Sequence, residues 1–519
     1  MEKSQLTYTK NILLPCVLYS GVTGFLTACL IFLFKLAVSK VVPLSQELYA
    51  YVRANPAFLP ILLVSVAALG GIASVILHFS PSSRGGGIPT AITLLRGLTS
   101  FNWLTSIFLL FPSALLSYIC GIPLGTEGPA VQMGTAVGKG TVKIFAKKHL
   151  AWERFIMTGG ASAGFAAATG SPLTAIFFTF EEAHSRFSPT LFMTSAVSAI
   201  TSTAVMQFLC PLAGISSSMF HFKADAIMPL YTIWAAVVVG LLCGLSGAAF
   251  TKLYSLIHTF IDRKLKKLPF TLKVITVFVS TAIIGFFSAD FLGTGDLIIE
   301  EILGGHAVIK LLVVYFCVRA IIVLVANNVG VTGGLFVPML CFGSIVGGIS
   351  AKLMIASGLL NQEYYAVIVI IGIVAFLATT TRTPIMATVF SIEALGAIDN
   401  VLPVMAGVAV AYITVETLGV HDFTDIVIEG KLKRLRKGKT EKVIDRNFTV
   451  TDDAFAVGKQ IRDILWPPTC TVLSVQKKPS THHHSHTGIS SGDILEVHYH
   501  TYDENETLES LEAILGKQT

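Results

Sequence analysis

The residues best placed to do chemistry are acids embedded in apolar sequence. Glu127 stands in Gly125-Thr126-Glu127-Gly128-Pro129, and residues 97–126 before it carry no charge. That run is long enough to cross a bilayer. An ionisable residue at membrane depth is a functional-site candidate by default. The glycines let the backbone turn and bare its N–H groups, and Pro129 suits the first turn of a helix. The motif predicts a helix N-terminus pointing into the membrane, with Glu127 at its mouth. Such an end attracts anions through unpaired N–H groups and the helix dipole. The alternative is a surface loop between two spans. A second acidic pair, Glu181-Glu182, follows the break Gly170-Ser171-Pro172. No Ser/His/Asp, metal or nucleotide constellation accompanies these acids, so an enzyme and a resident cofactor are not expected.

The elements that must position them are membrane helices. The chain has 519 residues, 53% of them hydrophobic and 13% charged, whereas soluble domains carry about 25% charge. Uncharged runs recur at 11–34, 54–83, 155–180, 187–222, 226–251 and 320–351. An all-α polytopic membrane protein follows. Spans are expected at 11–34, 54–79, 102–120, 190–213, 230–256, 271–293 and 308–328. The first apolar run is long and lacks a small-residue cleavage site, so no cleavable signal peptide is expected. The net charge of +6 comes with basic clusters at Lys147-Lys148, Arg263 to Lys267 and Lys431 to Lys439. They lie in loops rather than on a nucleic-acid-binding face. The positive-inside rule puts all three, and both termini, in the cytoplasm. The eight cysteines have no metal-ligand spacing and read as small apolar-segment residues.

The second half repeats the first. At an offset of 209 residues, Pro129, Gly134, Val137 and Gly138 fall on Pro338, Gly343, Val346 and Gly347. At an offset of 212, Pro172, Phe178 and Glu181 fall on Pro384, Phe390 and Glu393. The repeat halves are about 10–213 and 230–436. Broken helices at matching positions of two halves point to a binding site at mid-membrane. Glu181, with a repeat partner, reads as structural, such as a helix cap. Glu182 has Ala394 opposite and is not required by the repeat. It is either an inner proton relay or the start of the aqueous boundary before His184 and Arg186. Gly134 and Gly138, four apart, predict close helix packing.

After Lys439 the composition changes. Residues 441–519 predict a small cytoplasmic α/β or α+β domain. Val472-Leu473-Ser474-Val475 and Ile494 to Tyr499 read as strands, and Asp452 to Ile464 and Glu504 to Leu515 as helices. The tract His482, His483, His484 and His486 reads as a solvated loop or, alternatively, a transition-metal binder.

Three motifs now stand in order: Gly85-Gly86-Gly87-Ile88-Pro89, Gly125 to Pro129, and Gly333-Gly334-Leu335-Phe336-Val337-Pro338. Together they resemble the anion-pathway motifs of the CLC family of chloride channels and proton-coupled exchangers, over about residues 10–436. The resemblance implies inverted repeats of broken, tilted helices. It also implies a plasma-membrane homodimer with one pore per subunit. It implies a central anion held by the N–H groups of Leu335 and Phe336, Glu127 as the gate, and Glu182 as the inner proton relay that exchangers have and channels commonly lack. Residues 441–519 resemble, more weakly, a TrkA-C type regulatory domain with a possible small-molecule ligand. A pair of CBS domains would not fit.

The sequence departs from the family pattern at three places. Gly86 stands where a serine is common, Phe423 where a tyrosine usually contacts the anion, and Thr126 where an arginine is usual. With Gly86 and Phe423 the central site rests on backbone N–H groups. Each lost hydrogen bond to a charged group is worth about 1.5–3 kcal/mol. The expected function is proton-coupled antiport of chloride or a similar monovalent anion. The alternatives are a passive voltage- or pH-gated chloride channel on the same fold and a sodium-coupled metabolite transporter. No dedicated residues for an organic substrate favour the last.

Overall fold

The computed structural model describes residues 14–85, 87–145, 150–220, 222, 224, 226–436, 440–477 and 488–518. Gly86, Lys147-Lys148, Lys437 to Lys439 and the tract His482 to His486 lie outside the described residues. The first repeat half comprises α1 (Leu14–Ala54), α2 (Leu59–Phe79), α3 (Ile88–Leu95), α4 (Trp103–Ile119), α5 (Glu127–Phe145), α6 (Glu153–Thr169), α7 (Pro172–Phe178) and α8 (Pro189–Leu212). The second comprises α9 (Ile233–Lys264), α10 (Phe270–Phe287), α11 (Asp296–Leu303), α12 (Ile309–Val329), α13 (Phe336–Ala356), α14 (Tyr365–Thr381), α15 (Pro384–Glu393), α16 (Val401–Thr417) and α17 (Phe423–Leu435). Among the described residues, nine helices are long and apolar enough to cross a membrane. The protein is a multi-pass membrane protein. The two first spans differ from expectation at their junction: α1 continues for 41 residues, with Pro43 inside it, and stops only before Asn55-Pro56.

The repeat reads directly in the packing. α5 lies against α6, and α13 lies against α14 in the same way. The contact is main chain on main chain. A Cβ added to Gly134 would sit 2.1 Å from the Gly160 carbonyl oxygen, and one added to Gly160 would sit 2.1 Å from that of Gly134. Gly343 and Gly372 repeat this reciprocity at 2.6 Å. Lipid gives helices no hydrophobic reason to associate, so small residues that allow backbone approach supply the packing.

The tail is a separate layer. Its sheet runs β1 (Lys442–Thr449), β3 (Ile494–Thr501), β2 (Cys470–Gln476), with β3 central and both pairings antiparallel. β3 alternates strictly: Leu495, Val497 and Tyr499 enter a core with Phe448, Leu511 and Leu515. The last two come from α18 (Glu504–Leu515). The segment Asp452 to Ile464 is not the expected helix. It forms turns and one 3-10 turn, Ile461–Asp463, with Gly458 at φ 80°. The reason is that its apolar residues serve two partners. Ala456 and Ile464 enter the tail core, whereas Phe455 packs edge-on to Trp152 at 5.2 Å. Arg154 donates to the carbonyls of Leu465 and Trp466, and Arg186 to that of Ile464. Lys459 lies 3.5 Å over the Phe455 ring, and burial brings its pKa down to about 8 against the pull of Asp463.

The glycine contact yields a direct test. Gly134→Ala has no room to relax, because the atom it meets is backbone. Overpacking of this kind typically costs about 1–3 kcal/mol, and occasionally more. We expect a clear fall in melting temperature and loss of monodisperse protein on size exclusion; an unchanged melting temperature would contradict the packing described.

Candidate functional site

The three glycine-rich breaks meet in space. Gly125 and Gly334 form an isolated antiparallel bridge: each N–H donates to the other's carbonyl at 2.7 Å. A Cβ built on Gly87 would stand 3.6 Å from the Gly333 carbonyl oxygen. The bridge fixes the starts of α5 and α13 beside each other. Gly334 lies so close that its Cβ would be 2.7 Å from Gly128 N. Tyr118 donates its hydroxyl to the Gly125 carbonyl, and Ser113 hydrogen-bonds Thr332. First-turn N–H groups have no acceptor within their own helix. The N-terminal N–H groups of two helices are therefore brought to one buried place. Leu335 is 6% exposed and Phe336 2%. The Phe336 ring is wedged edge-on between Phe165 and Phe390, at 5.1 and 5.3 Å.

Glu127 is the first residue of α5 and only 1% exposed, which excludes the surface-loop alternative. Its Oε1 accepts from the Thr126 hydroxyl at 2.7 Å. Oε2 is buried with no hydrogen-bond partner among the described residues. It lies against the bare Gly125, where a Cβ would be 2.5 Å away. Lys35 and Asp296 are the charges within electrostatic range. Thr126 thus orients the carboxylate.

Glu181 and Glu182 diverge because the chain between α7 and His184 forms a π-helical turn, Thr179–Ala183. Such turns re-aim side chains. In the other repeat, α15 runs as ordinary α-helix through Glu393. Glu181 reaches into the second repeat and accepts from the N–H groups of Ile385 and Met386, at the start of α15. Glu393 returns the contact, accepting from Leu173 and Thr174 N–H at the start of α7. Each half caps a helix of the other with its glutamate.

Glu182 does something else. It is only 4% exposed, enclosed by protein. Its Oε1 accepts from Thr424 Oγ1 at 3.0 Å, and Oε2 is buried without a partner among the described residues. Arg96 donates to the backbone carbonyls of Glu182 and Ala183 and pairs with Asp425 at 3.3 Å. The π-turn is thereby tied to α17. Phe423 is the first residue of α17, 1% exposed, and packs edge-on to Tyr254 at 4.7 Å.

Four partners were not visible as such in the sequence. Thr126 and Thr424 are ordinary residues beside marked ones. Arg96 is, in the sequence, only the last charge before the uncharged run 97–126. Lys431 read as part of a cytoplasmic basic cluster. Its ammonium donates to the Arg84 carbonyl at 3.0 Å and to Thr90, clamping the first break from α17. A cavity of about 1170 Å³ lies there, lined by Thr90, Lys139, Lys143, Lys431 and, from the tail, His500. The buried cation Arg319 is committed elsewhere: it donates to the carbonyls of Asp290, Phe291, Leu292 and Gly293.

Two inverted sets of broken helices, with their starts converging on a buried carboxylate, define an ion-transport architecture. A family model described as voltage gated chloride channel matches residues 66–416, and the chain belongs to that family. It is 29% identical over 374 residues to the H(+)/Cl(-) exchange transporter ClcA of Vibrio campbellii, covering 70% of this chain and 78% of that one. The ClcA of Salmonella arizonae is 26% identical over 417 residues, covering 78% and 86%. Among solved structures, a slow cyanobacterial Cl-/H+ antiporter superposes with TM-score 0.74 at 24% identity, covering 81% of this chain and 98% of that one. A CLC-type fluoride/proton antiporter gives 0.64 at 18%, covering 77% and 95%.

The reciprocal caps and the Thr-bound glutamate predict different phenotypes. Glu181→Gln and Glu393→Gln each replace a charge-assisted pair of bonds with weaker ones. Each should lower the melting temperature and yield, with the proton-to-anion ratio of the surviving protein unchanged. A normal melting temperature in both variants would contradict the capping role.

Proposed function

We propose that this protein is a transporter, not an enzyme, that exchanges chloride or a similar monovalent anion for protons. One observation carries the reading. Two buried membrane glutamates, Glu127 and Glu182, each have one carboxylate oxygen held by a threonine and the other without a partner among the described residues. A burial so costly for a polar atom serves where that atom has work to do: an unpartnered oxygen can take and release a proton. The curated relatives are named as H(+)/Cl(-) exchange transporters, which supports the same reading.

In this account Glu127 is the gate. Ionised, it occupies the place where the starts of α5 and α13 meet; protonated, it leaves that place to an anion. The N–H groups of Leu335 and Phe336 bind the anion. Helix ends can hold a halide and release it, whereas a buried lysine or arginine would hold it too tightly for turnover. Phe423 brings no hydroxyl, and Gly86 has none to offer, so main-chain donors carry the site. The proton cannot follow an N–H-lined inner path, which is hostile to cations. Glu182 takes it from the cytoplasmic side instead, on a route separate from the anion's.

The protein works as a homodimer in the plasma membrane with its tail in the cytoplasm. The basic ends of α5, α9 and α17 support that orientation, as does the tail beside the Lys431 cavity. Residues 441–519 form a TrkA-C-like regulatory domain, open to a small-molecule ligand. Its grip on Arg154 and Arg186, the latter four residues past Glu182, supports a regulatory role.

The test is paired flux from proteoliposomes. A chloride gradient should drive protons uphill in the wild type. Glu182→Gln should cut proton flux at least tenfold while chloride flux persists. Wild-type stoichiometry in that variant would place the relay elsewhere, and no proton movement in the wild type would favour a passive channel.

A further inference from the structure

The tail sheet carries a cluster that anion exchange does not use. β3 alternates, so its outward residues share the face opposite the α18 side. Two of them are His498 and His500, two positions apart. Their Nε2 atoms stand 3.2 Å from each other. Asp445 lies directly across the ladder from His498, with its Oδ1 2.6 Å from His498 Nδ1. Glu441 Oε1 lies 3.6 Å from His500 Nδ1. Each ring thus has a carboxylate behind it and the other ring's nitrogen in front.

Asp445, at hydrogen-bond distance, selects the His498 tautomer whose proton is on Nδ1, while Glu441 stands at ion-pair distance from His500. The neutral His498 ring then presents a bare lone pair at Nε2. At 3.2 Å that lone pair faces either the Nε2–H of His500, as a hydrogen bond, or, when His500 also carries its proton on Nδ1, a second lone pair that a shared cation accommodates. Two imidazole nitrogens, each about 2.0–2.1 Å from one tetrahedral Zn²⁺, stand about 3.3 Å apart. The observed spacing is therefore that of a chelating pair. Carboxylates at the far nitrogens are the usual support for ligating histidines, fixing ring orientation and raising basicity. The side chains are 31% and 39% exposed, so solvent can complete the coordination sphere.

We propose that His498 and His500 form a two-histidine site for a divalent transition-metal ion of the Zn²⁺ or Cu²⁺ class, oriented by Asp445 and Glu441. Among the described residues no group of three or more His, Cys, Asp or Glu could hold a metal, so water fills the other positions. Imidazole pairs suit Zn²⁺ and Cu²⁺, and hard oxygen-seeking ions such as Mg²⁺ should be excluded. His500 also lines the cavity between tail and membrane domain, so a bound ion would add charge at its rim.

The test uses the full-length protein in detergent. His482, His483, His484 and His486 are replaced by serine so that they do not bind the metal themselves. Titration calorimetry with ZnCl₂ should give one site per chain. His498→Ala and His500→Ala should each weaken binding at least tenfold, and Asp445→Asn by about 10–100-fold. Electron paramagnetic resonance of the Cu²⁺ complex, with the sheet unaltered, should show hyperfine coupling to two imidazole nitrogens. Absence of saturable Zn²⁺ binding, binding indifferent to both alanine variants, or an all-oxygen Cu²⁺ spectrum would each overturn the site.

Discussion

Everything at the centre of this protein depends on two main-chain hydrogen bonds between Gly125 and Gly334. They join residues 209 apart in sequence, one from each repeat, where each chain leaves an irregular segment and enters a helix. Irregular backbone inside a membrane must satisfy its polar groups within the protein. Here each break satisfies the other. The consequence is geometric: the starts of α5 and α13 cannot separate, and the donors they leave unpaired face the same buried place. A carboxylate, that of Glu127, stands at the first position of α5, beside those donors.

The rest of the membrane domain makes that arrangement affordable. Glycine-on-glycine contacts between α5 and α6, and between α13 and α14, bring backbones together without side-chain interdigitation. Glu181 and Glu393 exchange caps across the pseudo-symmetry, so the short helices α7 and α15 have their starting N–H groups satisfied by the opposite half. The symmetry of the caps is broken one residue further on, at Glu182, which has Ala394 opposite. The π-helical turn at Thr179–Ala183 has no counterpart in α15, and it aims Glu182 at Thr424 rather than at a helix start.

The sequence exposed this centre because glycine–proline breaks in apolar runs have few uses. Glu127 could be placed at a helix start from residue type alone, Leu335 and Phe336 through the family resemblance, and the repeat offset anticipated that Glu181 would act structurally. What it hid has a physical reason in each case. Thr126 and Thr424 work through a hydroxyl pointed by backbone geometry. Arg96 and Lys431 act on carbonyls of residues far away in sequence. The π-turn has no residue signature. The stretch Asp452 to Ile464 carries a helix-like apolar pattern without being a helix, because its apolar residues face two different partners. His498 and His500 share a face by the alternation of β3 alone, but the placement of Asp445 beside His498 depends on the register between β1 and β3.

The central claim is that the Glu127 carboxylate couples the two ions at the meeting point of α5 and α13. The most direct measurement is proton movement in proteoliposomes containing Glu127→Gln, driven by a chloride gradient. The amide mimics the protonated side chain and cannot carry a proton. The account predicts sustained chloride flux with no uphill proton movement; undiminished proton pumping by this variant would contradict it.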